Sequence, residues 1–300
     1  MIATDRPVVL AADQVTVTFE SKGDRGRRTS VRACDRVSLD LHAGEIVALV
    51  GESGSGKTTI ARALARILTP SEGEIRFRGE PVTKHTKRLA YAKEVQMVYQ
   101  DPFASLNSLK TIRHILGRVV RIHHPKLSGR QVAERIHELL ELVALTPSRD
   151  YIDRFPTSLS GGQRQRVSIA RALAVDPSVI LADEPTSMLD VSIRLDVLNL
   201  LDRIRREKDV SILYITHDIA SARYVSDRMC VMYRGEMVES GETEDLIDDP
   251  RHPYTRLLLD AAPDPSRVKP TSAWPLRARM EPAAPAGPHH ARLTHTKEIP

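Results

Sequence analysis

Apolar and polar residues alternate along residues 8–19 and again along 31–41, the pattern of strands that bury one face. Glu45-Ile46-Val47-Ala48-Leu49-Val50 is apolar almost throughout, as a strand covered on both faces requires. The period then changes. Across 58–68 the residues Ile60, Ala63, Leu64, Ile67 and Leu68 recur at helical spacing, and Pro70 and Gly73 end the run. Residues 95–99 predict another strand. From 111 to 143 the pattern is helical, with Val132, Ile136, Leu139, Leu140 and Val143 on one stripe and Ser128 with Gln131 as a capping box. Strand patterns return at 179–182, 211–215 and 229–233, with helical patterns at 163–175, 191–207 and 218–225. This alternation predicts an α/β fold with a mostly parallel sheet, interrupted by an all-helical insert at about 102–154.

Composition adds bounds rather than a new direction. A chain of 300 residues at 41% hydrophobic can bury one large core or two modest ones, which excludes disorder of the whole. The stretch 263–300 carries eight prolines and little apolar periodicity, so it is expected to form a mobile tail with Trp274 exposed. A net charge of +5 from 44 basic and 39 acidic residues spread along the chain describes a solvated surface, not a nucleic-acid footprint. A local excess at 22–36, from Lys22, Arg25, Arg27, Arg28, Arg32 and Arg36, reads as an exposed basic loop between strands. Cys34 and Cys230 are too few for a disulfide framework or a four-ligand metal site, which fits a reducing cytosol. The start of the chain lacks the pattern of a secretory signal. No run of apolar residues is long enough to span a bilayer, so a membrane role would come through a partner.

Three strings carry chemistry. In Gly51-Glu52-Ser53-Gly54-Ser55-Gly56-Lys57-Thr58, between a strand and a helix, glycines let several backbone N–H groups face one point and the helix adds its positive end. Lys57 there supplies a compact charge for outer phosphates, and Thr58 is set to ligate Mg²⁺. Asp183-Glu184 end a buried strand, where ligands sit in parallel sheets: Asp183 suits Mg²⁺ ligation and Glu184 suits orienting or deprotonating a water. Leu159-Ser160-Gly161-Gly162-Gln163 offers a second run of amides before a helix. Ser160 and Gln163 also satisfy a capping box that needs no ligand, and both readings can hold together.

In order along the chain, the 51–58 loop, Gln100 at a strand end, the Leu159-to-Gln163 string, Asp183-Glu184, Ser187-Met188-Leu189-Asp190 and Ile215-Thr216-His217-Asp218 resemble the landmarks of an ABC-transporter ATPase subunit, over roughly residues 8–262. Gln100-Asp101-Pro102-Phe103-Ala104-Ser105-Leu106-Asn107, Ala170-Arg171-Ala172-Leu173 and Asp249-Pro250-Arg251-His252-Pro253-Tyr254-Thr255 resemble the peptide and nickel importer branch. The last of these reads as a branch marker outside the catalytic site. The resemblance implies a P-loop NTPase with a RecA-like parallel sheet core, an N-terminal antiparallel β subdomain and an inserted helical subdomain.

The same resemblance implies ATP and Mg²⁺ as ligands. ATP would be held by Gly51, Ser53, Gly54, Ser55, Gly56, Lys57, Thr58 and Thr59, with Phe19 stacked on adenine; from the residues alone Phe19 fits a core position equally well. Mg²⁺ would take Thr58, Gln100 and Asp183, and catalysis would rest on Glu184, His217 and Gln100. A second cassette, the same chain or a sister, would present its Ser160, Gly161, Gly162 and Gln163 to that nucleotide, and Asp190 would also belong to the nucleotide site. Two membrane-spanning permease subunits would dock on the helical insert at the cytoplasmic face of the membrane, served by an extracytoplasmic solute-binding protein, with no nucleic acid expected. Met188 departs from the family's usual alanine beside the dimer seam. The competing reading is a soluble ABC-type ATPase acting on nucleic acid or the ribosome, which usually carries duplicated cassettes, coiled coils or zinc modules.

Overall fold

The alternating residues at the start of the chain build a long hairpin: β1 (Val8–Lys22) pairs antiparallel with β2 (Arg28–His42). The computed structural model describes residues 6–22 and 28–261, so the proline-rich 263–300 and Trp274 lie outside the described residues. Within the basic stretch, residues 28–36 are strand rather than loop. β2 already runs through Arg32 and Arg36, because pairing with β1 outweighs the charge run; Arg32 donates to Asp35 at 2.9 Å and the Arg36 amide to Thr16 Oγ1 at 3.1 Å.

β3 (Ile46–Val50) leads through the glycine loop into α1 (Lys57–Leu64). The helix stops four residues short of the periodic run. Arg66 takes a left-handed φ of 56°, its amide bonds Ala63 O (2.9 Å) and the Ile67 amide bonds Arg62 O (2.8 Å). That is a Schellman cap with arginine where glycine is usual, and no composition signal announces it. β4 (Glu72–Phe77) and β5 (Glu80–Pro81) complete a four-stranded antiparallel sheet in the order β2-β1-β4-β5.

Next come α2 (Arg88–Glu94), β6 (Val95–Val98) and the helical insert: α3 (Pro102–Ser105), α4 (Ile112–His123) and α5 (Gly129–Leu142), followed by single turns at Ser148–Asp150 and Pro156–Ser158. The predicted Ser128–Gln131 capping box is formed in both halves. The chain then alternates through α6 (Gly161–Leu173), β7 (Val179–Asp183), α7 (Val191–Lys208), β8 (Ser211–Thr216), α8 (Ile219–Val225) and β9 (Arg228–Tyr233). The polar edge strand β10 (Glu236–Glu242), α9 (Thr243–Asp248) and α10 (Pro253–Ala261) follow. The second sheet runs β10-β9-β3-β8-β7-β6, parallel except for β10.

This sheet divides two cores. Ile46, Ala48, Val50, Ile180, Ala182 and Ile212 face the helical insert, α6 and α7, whereas Val47, Leu49, Val179, Leu181, Leu213 and Ile215 face α1 and the antiparallel sheet. Both faces of β3, β7 and β8 are covered, hence the apolar runs at 46–50, 179–182 and 212–215. The loops at the carboxyl ends of these strands are where a parallel sheet offers its ligand site. None of the described helices is long and apolar enough to cross a membrane.

Candidate functional site

The loop after β3 is packed from behind and open in front. A Cβ on Gly51 would fall 2.2 Å from Met232 O, and one on Gly56 would fall 2.4 Å from Ala33 O, so β9 and β2 both exclude side chains there. Gly54 has free space around it but φ of 82°, and Ser53 and Gly54 are exposed. The Gly235 amide donates to Ser55 O at 3.0 Å, a further hold from the β9–β10 turn. Lys57 is buried at the start of α1, and its Nζ donates to Gly51 O and Glu52 O at 2.7 Å each. Burial lowers its pKa, against the pull of the nearby Glu184, Asp183 and Glu52 carboxylates. α1 begins without a side-chain cap, which leaves its first amides facing the loop's concave side. Cys34 packs behind, with Sγ 3.6 Å from Gly56 O; burial pushes its pKa up to about 12, so it is a neutral thiol.

Thr58 Oγ1 donates to Asp183 Oδ1 at 2.9 Å, joining the loop to the end of β7. The adjacent Glu184 sits at φ 44°, uncommon for a residue with a side chain, held by its amide on Ile215 O (2.9 Å) and by Ser187 Oγ on its carbonyl (3.0 Å). Gln100 Nε2 donates to Glu184 Oε2 at 3.0 Å, and His217 Nδ1 lies 3.2 Å from Glu184 Oε1. Gln100 therefore meets Glu184 directly, while Thr58 and Asp183 form a separate oxygen pair. Ser187, 3.4 Å from Gln100 Nε2, also joins the cluster, although the sequence singled it out only as part of the Ser187-to-Asp190 string and gave it no role of its own.

Burial raises the Asp183 pKa, opposed by the Thr58 hydrogen bond and reinforced by Glu184. A folded-state pKa above the unfolded value means that ionising Asp183 costs stability progressively as pH rises from the unfolded value, fully so above the folded one. Asp183→Asn, which keeps an acceptor for Thr58, should raise the Tm of the nucleotide-free chain at pH 7 by a few degrees, about 1 kcal/mol. Thermal melts should show that gain vanish toward pH 4, and a gain that grows on acidification would contradict the account.

The second amide run behaves as its capping box requires: the Gln163 amide bonds Ser160 Oγ (3.2 Å) and the Ser160 amide bonds Gln163 Oε1 (3.0 Å). Gly162 has a reason other than ligand approach. A Cβ there would lie 2.5 Å from Ile193 Cγ2, so glycine is what lets α6 and α7 touch; Gly161 has only ordinary contact with Leu189. Asp190 precedes α7 exposed and without a side-chain capping bond, and Met188 and Val191 beside it are exposed too. Phe19 is not core: it is 44% exposed, paired across the hairpin with the exposed Val31. Val31 is two residues along β2 from Ala33, which backs the loop at Gly56. Thr59 lies in the first turn of α1.

The C-terminal string expected outside the catalytic site folds back against the glycine loop. Residues 249–255 are not remote from the site: the Glu52 amide donates to Tyr254 Oη at 2.9 Å. The signal available was the string itself, but nothing in its composition says where it folds back.

The oxygen pair Thr58–Asp183 has the hard donors that Mg²⁺ prefers, and the loop has the amides, lysine and open front that a polyphosphate needs. The ABC transporter family matches residues 34–187, from β2 through the Glu184 turn. The chain is 41% identical over 266 residues to the oligopeptide transport ATP-binding protein OppF of Streptococcus mutans, covering 88% of this chain and 84% of that one. The chain belongs to the ABC transporter ATP-binding family. The ABC ATPase is also 40% identical over 270 residues to OppF of Escherichia coli, covering 88% and 80% of the two chains. The family described as oligopeptide/dipeptide transporter, C-terminal region, matches residues 238–287. Among solved structures it resembles the ATP-binding cassette MJ0796 in a dimeric post-hydrolysis state bound to ADP and Pi. That pair shares 29% identity with a TM-score of 0.68, covering 78% of this chain and 98% of the cassette. It also resembles cbiO1 of Clostridium perfringens, part of the transporter complex cbiONQ (25% identity, TM-score 0.70, 81% and 92%). The ABC ATPase binds and hydrolyses ATP as the energising subunit of a transporter.

Proposed function

We propose that this ATPase drives the import of di- or oligopeptides, from the cytoplasmic face of the membrane, as one of two cassettes bound to a pair of permease subunits and fed by an extracytoplasmic solute-binding protein. The observation that carries the peptide assignment is the pair of matches, ABC transporter over 34–187 and the oligopeptide/dipeptide C-terminal region over 238–287, together with relatives named for oligopeptide transport. Those names favour transport over a soluble ATPase on nucleic acid or the ribosome.

In this reading Lys57, the amides at Gly51, Ser53, Gly54, Ser55 and Gly56 and those of Thr58 and Thr59 hold the phosphates, and the exposed Phe19 takes the adenine face. Thr58 and Asp183, with Gln100 nearby, hold Mg²⁺, which when bound neutralises charge on the phosphoryl oxygens. Glu184, steadied by Gln100 and His217 at 3.0 and 3.2 Å, orients the attacking water and accepts its proton. Ser160, Gly161, Gly162, Gln163 and Asp190 of a second cassette close over the phosphates. Exposed apolar Met188 and Val191 next to Asp190 support a covered seam at that face. A ligand that touches both faces binds the closed pair better than the open one, and that difference is what lets ATP drive closure and its hydrolysis reverse it. On the insert, Phe103, Leu109 and Phe155 are exposed apolar side chains close in sequence to Gln100 or at the insert's far end, which supports docking of the permeases there.

The test is the assembled complex in vesicles with its binding protein. Added di- and oligopeptides should raise ATP turnover severalfold, and Ni²⁺ should not. Stimulation by Ni²⁺ alone would overturn the peptide assignment.

A further inference from the structure

The Glu52 amide that donates to Tyr254 Oη belongs to the Gly51–Glu52 peptide, and the carbonyl of that same peptide, Gly51 O, accepts from Lys57 Nζ at 2.7 Å. One planar unit therefore carries the tyrosine on its N–H and the phosphate-site lysine on its C=O. Hydrogen bonds at the two ends of an amide polarise it in the same sense and strengthen one another. Gly51 is at φ 152°, in the region only glycine enters readily, so no side chain at 51 anchors this peptide and its restraint comes from its own hydrogen bonds.

Tyr254 is built to be that restraint. Its ring stacks on Tyr233 with centroids 4.1 Å apart and planes 27° from parallel, and its amide donates to His252 Nδ1 at 3.2 Å. The residues before it are pinned to β10, where the Glu239 carboxylate accepts from the Arg251 amide (2.7 Å) and the His252 amide (3.0 Å). Tyr233 ends β9 just before the turn whose Gly235 amide holds Ser55 O.

We infer that Tyr254 is a positioning residue of the ATP site: the 249–255 segment is a strut that fixes the Gly51–Glu52 peptide plane and, through it, the Lys57 ammonium. The inference rests on the ATP-site reading of the loop. It gives the C-terminal string a role in nucleotide affinity, which its place in the sequence did not suggest.

The test uses the full chain, with equilibrium binding of a fluorescent ATP analogue, steady-state ATPase and thermal melts. Tyr254→Phe keeps the ring and its stacking but removes the acceptor. It should raise Kd and KM for ATP about 3- to 10-fold, the worth of one net hydrogen bond, with kcat and Tm nearly unchanged. Glu239→Ala, which frees the strut far from the loop, should shift KM the same way. The double variant should be no worse than the more affected single one, as expected of two links in one chain of contacts. A wild-type chain that fails to bind nucleotide would remove the site and the strut together. If the wild type binds, Lys57→Ala binds weakly and Tyr254→Phe matches the wild type, the strut alone is overturned. Equal losses of kcat and Tm in Tyr254→Phe would likewise reduce the tyrosine to a packing role.

Discussion

Glu184→Gln should lower steady-state ATP hydrolysis about 10²- to 10⁴-fold, the range lost with a general base, while leaving ATP binding intact. Glutamine matches glutamate in shape and keeps an oxygen that can accept from Gln100, so the hydrogen bond now at 3.0 Å has a replacement. The left-handed backbone at φ 44° is held by the Ile215 and Ser187 contacts, which involve only the main chain of residue 184. What the variant loses is the charge that accepts a proton from water. Bound ATP then persists, and if two cassettes share it they should stay closed. Phosphate release checks the first consequence, and size-exclusion chromatography with MgATP, comparing monomer with dimer, checks the second. A variant that hydrolyses ATP at the wild-type rate would remove Glu184 from the chemistry. One that stalls yet remains monomeric would keep the base and discard the shared pocket.

Much of this site was legible because its parts are local. The glycine loop, the acidic end of a buried strand and the capping box at Ser160 each fit within a few residues. Their chemistry follows from a strand before and a helix after, which periodicity reports well. The unbroken apolar strand at 46–50 likewise announced a sheet covered on both faces. What could not be read is long-range or sits in single backbone angles. Gly162 is explained by Ile193, thirty-one residues on, and the Glu52 amide by Tyr254, two hundred and two residues on. Arg66 ends α1 in a conformation that arginine rarely takes, and at 28–36 the basic residues were outweighed by the cross-strand pairing of β2. Phe19 was undecidable between core and surface until its strand register faced it outward. Apart from Arg66, whose cap is local to α1, the deciding partner lies in another element, and one sequence gives no account of which elements meet.

Lys57→Ala should weaken ATP binding about 10- to 150-fold, the value of a charged hydrogen-bonding group, with a much smaller effect on the free chain. The asymmetry follows from what the ammonium does in each state. In the free chain it is buried, its pKa is lowered by desolvation, and its bonds to Gly51 O and Glu52 O offset the cost of confining a charge there. Removing it relieves that cost and orphans two carbonyls, and the two effects oppose each other. Against a triphosphate there is no such cancellation, since only the attraction is lost. Thermal melts read this directly. With MgATP at a hundredfold excess over its Kd, the wild type should gain about 2.7 kcal/mol, roughly 5–10 °C for a chain this size. If the substitution raises Kd a hundredfold, the same nucleotide concentration stabilises the variant by only about 0.4 kcal/mol, roughly 1 °C. A variant whose melting point rises with MgATP as far as that of the wild type would show that the loop does not grip phosphate through Lys57.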